Sequence, residues 1–209
     1  MTIPPWLHSI RQSKVIAVIR TPCFEWGLPM AKAVVAGGIS IVEITWNSDR
    51  PAALIQQLRT ELPHSLIGAG TLLTVDQLEQ AIAAGAQFLF TPHVNPQLIT
   101  TAVESNIPLV AGALTPTEIV TAWQAGATCV KVFPVQAVGG AAYIRNLQGP
   151  LGDIPLIPTG GVTLDNTATF LQAGAIAVGL SGDLFPQQAM QANHWDEITH
   201  RAAKLMATL

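Results

Sequence analysis

The chain has 209 residues and a formal net charge of −3 at pH 7, and 49% of its residues are hydrophobic whereas only 11% are charged. This length suits one large domain with a sizeable core, and the apolar content excludes an intrinsically disordered chain. The ten Lys and Arg residues are scattered. They therefore form no basic stripe that could contact the phosphate backbone of a nucleic acid, and nucleic acid is not an expected partner.

The mean hydropathy of +0.40 raises the question of membrane insertion. The longest stretch without charge, between Glu79 and Glu104, is interrupted by glycine and proline, so no membrane span is expected. The opening segment lacks the apolar region of a signal peptide, which predicts a cytoplasmic protein. Cys23 and Cys129 belong to no CxxC motif or Cys/His cluster, so they predict neither a disulfide framework nor a metal site.

Eight short runs rich in β-branched residues follow one another along the chain and mark predicted strands. They lie at 15–20, 41–46, 66–71, 88–92, 108–113, 129–134, 156–161 and 175–182. Most are apolar on both faces, which is typical of parallel strands covered on each side. The segments between them have helical character, and several end in AGG or AGA, where a glycine stops a helix. Thr74, Thr115 and Thr163 mark predicted helix starts.

Strand and helix alternate eight times, which predicts a (β/α)₈ TIM barrel of the α/β class forming a single domain over residues 1–209. The alternative is an open doubly wound sheet, which normally has fewer strands and exposes two edge strands. Residues 4–13 are predicted to form a short N-terminal capping helix at the bottom of the barrel. Residues 193–207 are predicted to close the outer ring of helices.

Two charged residues interrupt otherwise apolar strands. Lys131 lies between Val130 and Val132 in the sixth strand, where burial lowers the pKa of an amine and favours its nucleophilic form. Glu43 interrupts the second strand in the same way, and a carboxylate with a raised pKa inside a barrel can relay protons. The structural alternative is a core ion pair between these two residues.

Glycine-bearing loops follow the last two predicted strands. Strand 7 ends in Thr159-Gly160-Gly161 before a helix predicted near Thr163, and strand 8 ends in Gly179-Leu180-Ser181-Gly182. Loops after strands 7 and 8 of a barrel often bind phosphate, because glycine lets backbone N–H groups approach an anion at a helix N-terminus. Two ordinary tight turns are the alternative.

Three further polar residues end strands where a barrel mouth would lie. Arg20 ends strand 1 and suits a carboxylate or a phosphate, and Thr71 ends strand 3 with a hydroxyl donor. Either side chain could equally donate hydrogen bonds to backbone carbonyl groups of the loops. His93 follows strand 4, and a single histidine without a second ligand nearby predicts no metal site.

In order along nearly the entire chain, VIAVIR, VEIT, IGAGTLL, FLFTP, KVFP, PTGGV and GLSGDL resemble motifs of the 2-keto-3-deoxy-6-phosphogluconate (KDPG) and 4-hydroxy-2-oxoglutarate (KHG) aldolases. The resemblance implies a homotrimeric class I aldolase that forms pyruvate from a 2-keto acid, with no cofactor. It implies Lys131 as the Schiff-base lysine and Glu43 as the general acid and base. Its implied binding residues are Thr71, Pro92 and Phe133 for the pyruvyl group, and Gly160, Gly161, Ser181 and Gly182 for phosphate.

The sequence departs from the family pattern at three places. Asn47 stands where the KDPG enzymes have an arginine for the pyruvyl carboxylate, so Arg20 or Arg50 is expected to supply the charge. The Asn-Ser pair and GDLF resemble the related 2-dehydro-3-deoxy-6-phosphogalactonate aldolases, which differ in one substrate stereocentre. The family usually has Gly-Ser where this chain has Ser181-Gly182, and His93 adds bulk at the mouth. Both changes favour a shorter, unphosphorylated substrate such as KHG, or decarboxylation of oxaloacetate.

Two competing interpretations come from other classes of protein. A phosphosugar isomerase or related phosphate-binding barrel accounts for the glycine loops but leaves Lys131 unexplained. A catalytically silent binding barrel accounts for Asn47 and the 181–182 pair, and it predicts no covalent adduct with any 2-oxo acid.

Overall fold

Eight parallel strands form the centre of the molecule in the computed structural model, which describes residues 5–209. The strands are β1 (Val15–Ile19), β2 (Ile41–Thr45), β3 (Leu66–Gly70), β4 (Leu89–Phe90), β5 (Leu109–Ala113), β6 (Cys129–Val132), β7 (Leu156–Pro158) and β8 (Val178–Leu180). They pair in the order β7-β6-β5-β4-β3-β2-β1-β8, and a parallel bridge between Thr159 and Gly179 joins the two ends. The predicted (β/α)₈ barrel is confirmed, and the open-sheet alternative is wrong.

Helices surround the barrel and connect its strands. They are α1 (Pro5–Ser13), α2 (Phe24–Ala36), α3 (Pro51–Glu61), α4 (Val75–Ala83), α5 (Pro96–Glu104), α6 (Pro116–Gln124), α7 (Ala141–Leu151), α8 (Thr167–Gln172), α9 (Gln187–Gln191) and α10 (Trp195–Met206), with a 3₁₀ turn at Val135–Val138. Two predicted helix starts are confirmed by their caps. Thr74 Oγ1 accepts from the N–H of Gln77, and Thr115 forms a reciprocal capping box with Glu118. No helix within the described residues is both long and apolar enough to cross a bilayer.

Thr163 and Asn166 form the reciprocal hydrogen bonds that the sequence predicts for a helix start, but α8 itself begins only at Thr167. The N–H of Thr163 donates to Asn166 Oδ1 at 2.8 Å, and that of Leu164 donates to Asp183 Oδ2 at 2.7 Å. Side chains therefore accept the hydrogen bonds of a turn ahead of the helix. As a consequence, the loop after β7 does not lead directly into a helix N-terminus.

Alternate residues of each strand face the helices or the barrel interior, as the period of two in a strand requires. At the bottom, side chains of α1 pack against inward-facing residues of the strands, and Trp6 lies 5.9 Å from the Phe88 ring. This inner cluster consists of Trp6, Leu7, Ile10, Ile16, Ile41, Phe88, Phe90, Val110, Cys129, Ile157 and Ala177. The predicted capping helix is confirmed over residues 5–13, and its residue 4 lies outside the described residues. The polar positions of the barrel therefore lie above an apolar plug.

Helix α10 closes the outer ring beside α2, as predicted for residues 193–207, although the helix covers Trp195–Met206. The Thr199 hydroxyl donates to the Ala33 carbonyl at 3.1 Å. Gly37, just after α2, lies so close to Ala202 that a side chain there would overlap it. These contacts hold the last helix beside the loop that leads into β2.

Candidate active site

A cavity of about 410 Å³ opens at the C-terminal ends of the strands, where barrel enzymes hold their reacting groups. Its wall includes the residues that the sequence singles out for catalysis or binding, with the exception of Arg50. These are Arg20, Glu43, Asn47, Thr71, Pro92, Lys131, Phe133, Gly160, Gly161, Ser181 and Gly182. Residues separated by up to 162 positions in the chain thus face one space, and their individual roles remain predictions.

Lys131 and Glu43 lie inside this cavity without forming an ion pair. They are only 5% and 1% exposed, and the four ion pairs in the described part of the chain all involve other residues. Glu43 Oε1 is buried without a hydrogen-bond partner among the described residues. Lys131 Nζ lies 4.9 Å from the centroid of the Phe133 ring and 5.9 Å from that of Phe90. The core ion pair considered from the sequence is therefore absent.

Burial shifts the two charged groups toward their neutral forms. Desolvation raises the pKa of Glu43, although the positive charges of Lys131 and Arg20 oppose this shift. Desolvation also lowers the pKa of Lys131, and Arg20 adds to this effect while Glu43 opposes it. An amine with a lowered pKa is neutral more often near pH 7, and a carboxyl with a raised pKa exchanges protons more readily there. This pair suits carbonyl addition assisted by proton transfer.

Gly70 provides the space that Glu43 occupies. A Cβ atom built at residue 70 would overlap the Glu43 carboxylate, because both residues face inward on neighbouring strands, where Thr45 pairs with Gly70. Thr71 follows with a left-handed φ of 59°, which is unusual for a β-branched residue and is often found at functional sites. The end of β3 therefore combines an absent side chain with a strained backbone next to the buried carboxylate.

The two arginines considered for the substrate carboxylate lie in different environments. Arg20 lines the cavity. Arg50 does not, since its guanidinium pairs with Glu25 at 3.0 Å and with Asp49 at 3.7 Å, and it lies 3.9 Å from the centroid of the Phe24 ring. Arg20 and Lys131 are thus the only Lys or Arg side chains in the described cavity wall.

His93 is exposed at the end of β4 and does not line the cavity. Its carbonyl accepts from the Thr91 hydroxyl at 2.7 Å, and this bond fixes the backbone that carries Pro92 into the cavity wall. The expected narrowing of the mouth by the His93 side chain is therefore not observed.

The loops after β7 and β8 line the same side of the cavity. Gly160 and Gly161 have φ angles of +84° and +87°, and a side chain on Gly161 would overlap Gln136. Asn166 Nδ2 donates to the Gly161 carbonyl at 3.0 Å, and the bond from Leu164 to Asp183 joins the two loops. The positive φ angles require glycine whatever the loop binds, so the conformation by itself does not distinguish an anion site from tight turns.

Sequence reasoning gave no role to two threonines that line the cavity. Thr159 Oγ1 is buried, and no group in the described part of the chain forms a hydrogen bond with it. Thr45 is fully buried on the same strand face as Glu43. Their spacing could have identified them, because each lies two residues after an inward-facing residue of its strand and therefore faces the barrel interior as well. An unpartnered buried hydroxyl is costly unless a ligand or water engages it, which makes Thr159 a candidate contact for a polar substrate.

Neither cysteine contributes to the cavity wall. Cys23 and Cys129 are both free, and burial raises the pKa of the Cys129 thiol within the apolar plug. Across residues 5–209, no three His, Cys, Asp or Glu side chains converge in a way that suits a metal ion.

Comparison with known proteins identifies the family. The family model described as KDPG and KHG aldolase matches residues 7–201. This chain belongs to the KDPG and KHG aldolase family. It is 36% identical to a 2-dehydro-3-deoxy-phosphogluconate aldolase of Haemophilus influenzae over 193 residues, which cover 92% of this chain and 91% of the relative. It is 34% identical to a KHG/KDPG aldolase of Escherichia coli K12, with 90% and 88% covered.

Solved structures agree with this family membership. A KDPG aldolase from Legionella pneumophila, with pyruvate captured as a covalent carbinolamine intermediate, superposes with a TM-score of 0.89 at 29% identity and covers 95% of this chain and 97% of that one. A structure described as native KDPGal gives 0.84 at 31% identity, with 99% and 95% covered. The enzyme is an aldolase, a carbon–carbon lyase whose family cleaves its substrate to pyruvate and an aldehyde. The resemblance stated from the sequence motifs is confirmed.

Proposed function

We propose that this enzyme is a class I aldolase in which Lys131 forms an imine with the ketone of a 2-keto acid and Glu43 transfers the protons. The observation that carries the proposal is a buried lysine in the same cavity as a buried carboxylate oxygen, where the described residues 5–209 supply neither an ion-pair partner for the lysine nor a hydrogen-bond partner for that oxygen. Both groups lie at the strand ends, where a substrate can reach them.

The proposed reaction begins when the neutral Lys131 amine adds to the C2 carbonyl carbon. Glu43 then protonates the departing hydroxyl, and loss of water leaves the iminium. The Glu43 carboxylate takes the proton of the C4 hydroxyl as the C3–C4 bond breaks, so the aldehyde leaves and the bonding electrons form an enamine. Protonation of C3 by Glu43 and hydrolysis of the resulting iminium release pyruvate and restore the free amine.

Borohydride trapping tests the imine without knowledge of the complete substrate. The folded protein is treated with pyruvate and borohydride, and intact and peptide masses are measured. A reduced adduct equal to pyruvate less one oxygen atom, on the peptide that contains Lys131, supports the proposal. An adduct on Lys14, Lys32 or Lys204 alone, or no adduct in folded protein, rejects Lys131 as the imine-forming residue.

Arg20 is the proposed partner of the substrate carboxylate, because it lines the cavity and Arg50 does not. A charged hydrogen bond contributes about 1.5–3 kcal/mol, so the Arg20→Ala substitution is expected to raise KM roughly 10- to 100-fold. The Arg50→Ala substitution is the matched control and should leave KM within about twofold, since that arginine pairs with surface carboxylates. Steady-state kinetics on both variants measures the difference, and equal KM values would reject the assignment.

Gly70 is expected to be required for the placement of Glu43. The Gly70→Ala substitution forces the carboxylate to move, and a displacement of about 1 Å costs on the order of 10²-fold in kcat. Gly149→Ala is the matched control, because a Cβ atom there meets nothing within 4 Å. A Gly70→Ala enzyme that folds and retains full kcat would show that the carboxylate position tolerates this change.

KHG is the second candidate substrate beside KDPG. The observation that favours it is the absence of Lys and Arg from the described loops that carry Gly160, Gly161, Ser181 and Gly182, since a phosphate group binds most strongly to cations. The ratio of kcat/KM for KDPG to that for KHG tests this choice, and a value far above one identifies the phosphorylated acid as the substrate. The C4 epimer of KDPG and oxaloacetate belong in the same assay, because the phosphogalactonate and decarboxylase alternatives predict turnover of these compounds.

A homotrimer is the proposed assembly, as the resemblance implies. Val103 at the end of α5 and Trp123 on α6 are 51% and 39% exposed, and large apolar side chains on a surface with few charges suit a subunit contact. Light scattering measures the assembly directly, and a monomeric mass at assay concentration would reject it.

A further inference from the structure

We propose that Ser48 is a positioning residue for the substrate carboxylate and acts through the backbone of the loop that carries Arg20. This inference rests on the proposed function, which assigns the carboxylate to Arg20. Ser48 itself does not line the cavity, so its effect is transmitted by its hydrogen bonds.

The backbone next to Arg20 is held by the loop that follows β2. The N–H of Thr21 donates to Ser48 Oγ at 3.2 Å, and the Thr21 carbonyl accepts from the N–H of Asp49 at 2.9 Å. Thr21 and Ser48 are 1% and 7% exposed. Because both backbone groups of Thr21 bond to this one loop, the starting point of the Arg20 side chain depends on where Ser48 lies.

A second hydrogen bond fixes Ser48 to the strand that carries the buried carboxylate. Ser48 Oγ lies 3.1 Å from Thr45 Oγ1, and Thr45 is fully buried two residues after Glu43 on the same strand face. The Ser48 hydroxyl accepts from Thr21, so its own hydrogen can be donated to Thr45. One hydroxyl therefore joins the Arg20 loop to the Glu43 strand.

Arg20 depends on such support because no ion pair or side-chain hydrogen bond among the described residues holds it. It is exposed, and none of the ion pairs among the described residues includes it. A long side chain without a fixed partner keeps its rotamer freedom, so its reach is defined by the backbone to which it is attached. Asn47, adjacent to Ser48, faces the same cavity. Ser48 therefore sets the separation between the two loops on either side of the proposed carboxylate position.

A double-mutant cycle tests this coupling, with pyruvate as the probe. The pyruvate concentration that gives half-maximal borohydride trapping on Lys131 is measured for Ser48→Ala, Arg20→Ala and the double variant. Loss of one hydrogen bond corresponds to an increase of up to about tenfold, and this increase is expected for Ser48→Ala in the wild-type background. In the Arg20→Ala background the same change is expected to have no further effect. Ser48→Thr keeps the hydroxyl and should restore binding to within about twofold.

Each outcome separates this inference from the proposed function. Equal effects of Ser48→Ala in both backgrounds would overturn the inference, because a general structural defect does not require Arg20. An unchanged half-maximal concentration in Ser48→Ala would overturn it as well. If Arg20→Ala by itself does not change the half-maximal concentration, the assignment of the substrate carboxylate to Arg20 is rejected, and the role of Ser48 is rejected with it. Should Ser48→Ala not fold, Ser48→Cys keeps the size, weakens the hydrogen bond and takes its place in the same cycle.

Discussion

The Lys131→Ala variant is expected to lose all measurable aldol cleavage and all borohydride-trapped pyruvate. No other lysine lies in the described cavity wall, so no second amine is placed to add to the ketone. Removal of the nucleophile of an enzyme that works through a covalent intermediate can reduce kcat by on the order of 10⁶-fold. Cleavage and trapping test the two consequences separately, because the first reports turnover and the second reports imine formation alone.

A folded control is needed, since Lys131 is almost completely buried. Lys131→Met fills the same space without an amine, and we expect it to melt at the same temperature as the wild type or higher. Burial lowers the pKa of Lys131 in the folded state, so the folded protein binds fewer protons than the unfolded chain at pH values between the lowered pKa and the ordinary value of 10.5. Stability therefore increases with pH across that window, and the cost of the buried ammonium is fully present below it. Methionine carries no such cost.

The surface variant Lys32→Ala provides the activity control. Lys32 pairs with Glu61 at 2.9 Å, and its side chain is 51% exposed, so its loss should leave cleavage and trapping unchanged. Retention of full cleavage by Lys131→Ala would contradict the imine mechanism. Loss of cleavage in both lysine variants would instead indicate a general effect of charge.

The sequence was sufficient to predict the barrel because each strand carries its own signal. Short runs rich in β-branched residues, most of them apolar on both faces, recur eight times between helical segments, and local signals such as the Thr115 capping box are encoded within a few residues. Lys131 and Glu43 were recognisable for the same reason, since a charge in an apolar strand stands out without knowledge of its neighbours. The pairing of the barrel ends through Thr159 and Gly179 follows from closure.

Contacts between distant loops were not predictable in this way. Asp183, from the loop after β8, accepts the Leu164 N–H just ahead of α8, and no pattern near either residue indicates this bond. Arg50 remained a candidate for the carboxylate until its pairing with Glu25 was known, and nothing near Ser48 in the sequence indicates its bond to Thr21. Such contacts depend on the three-dimensional arrangement of loops, for which a single sequence contains no local pattern.

Glu43→Gln is expected to separate proton transfer from imine formation. The amide has the size of the carboxyl group but cannot exchange the proton of the C4 hydroxyl, so cleavage should fall by about 10²- to 10⁴-fold. Borohydride trapping of pyruvate should remain detectable but slow, because Lys131 is intact and only the acid that assists dehydration is missing. Stopped-flow or quenched trapping, measured beside steady-state cleavage, gives both rates on the same protein.

The pH dependence of the two rates distinguishes the roles further. Burial raises the pKa of Glu43, so wild-type cleavage should decline on the acid side as the carboxylate that accepts the C4 hydroxyl proton is lost, at a pH above the ordinary carboxyl value of 4.5. Glu43→Gln lacks this group and also removes the negative charge that raises the pKa of Lys131. Its trapping should therefore persist to lower pH than in the wild type, because the amine remains neutral there.

Glu43→Asp is the matched control for charge, since it keeps a carboxylate at a shorter reach. We expect it to retain the acid-side decline in cleavage with a reduced kcat, because the proton acceptor is present but displaced. Full cleavage in Glu43→Gln would exclude Glu43 as the proton carrier and direct attention to Thr159, whose buried hydroxyl faces the same cavity. Loss of trapping together with cleavage would instead show that Glu43 is required before the C3–C4 bond is broken, at the formation of the imine itself.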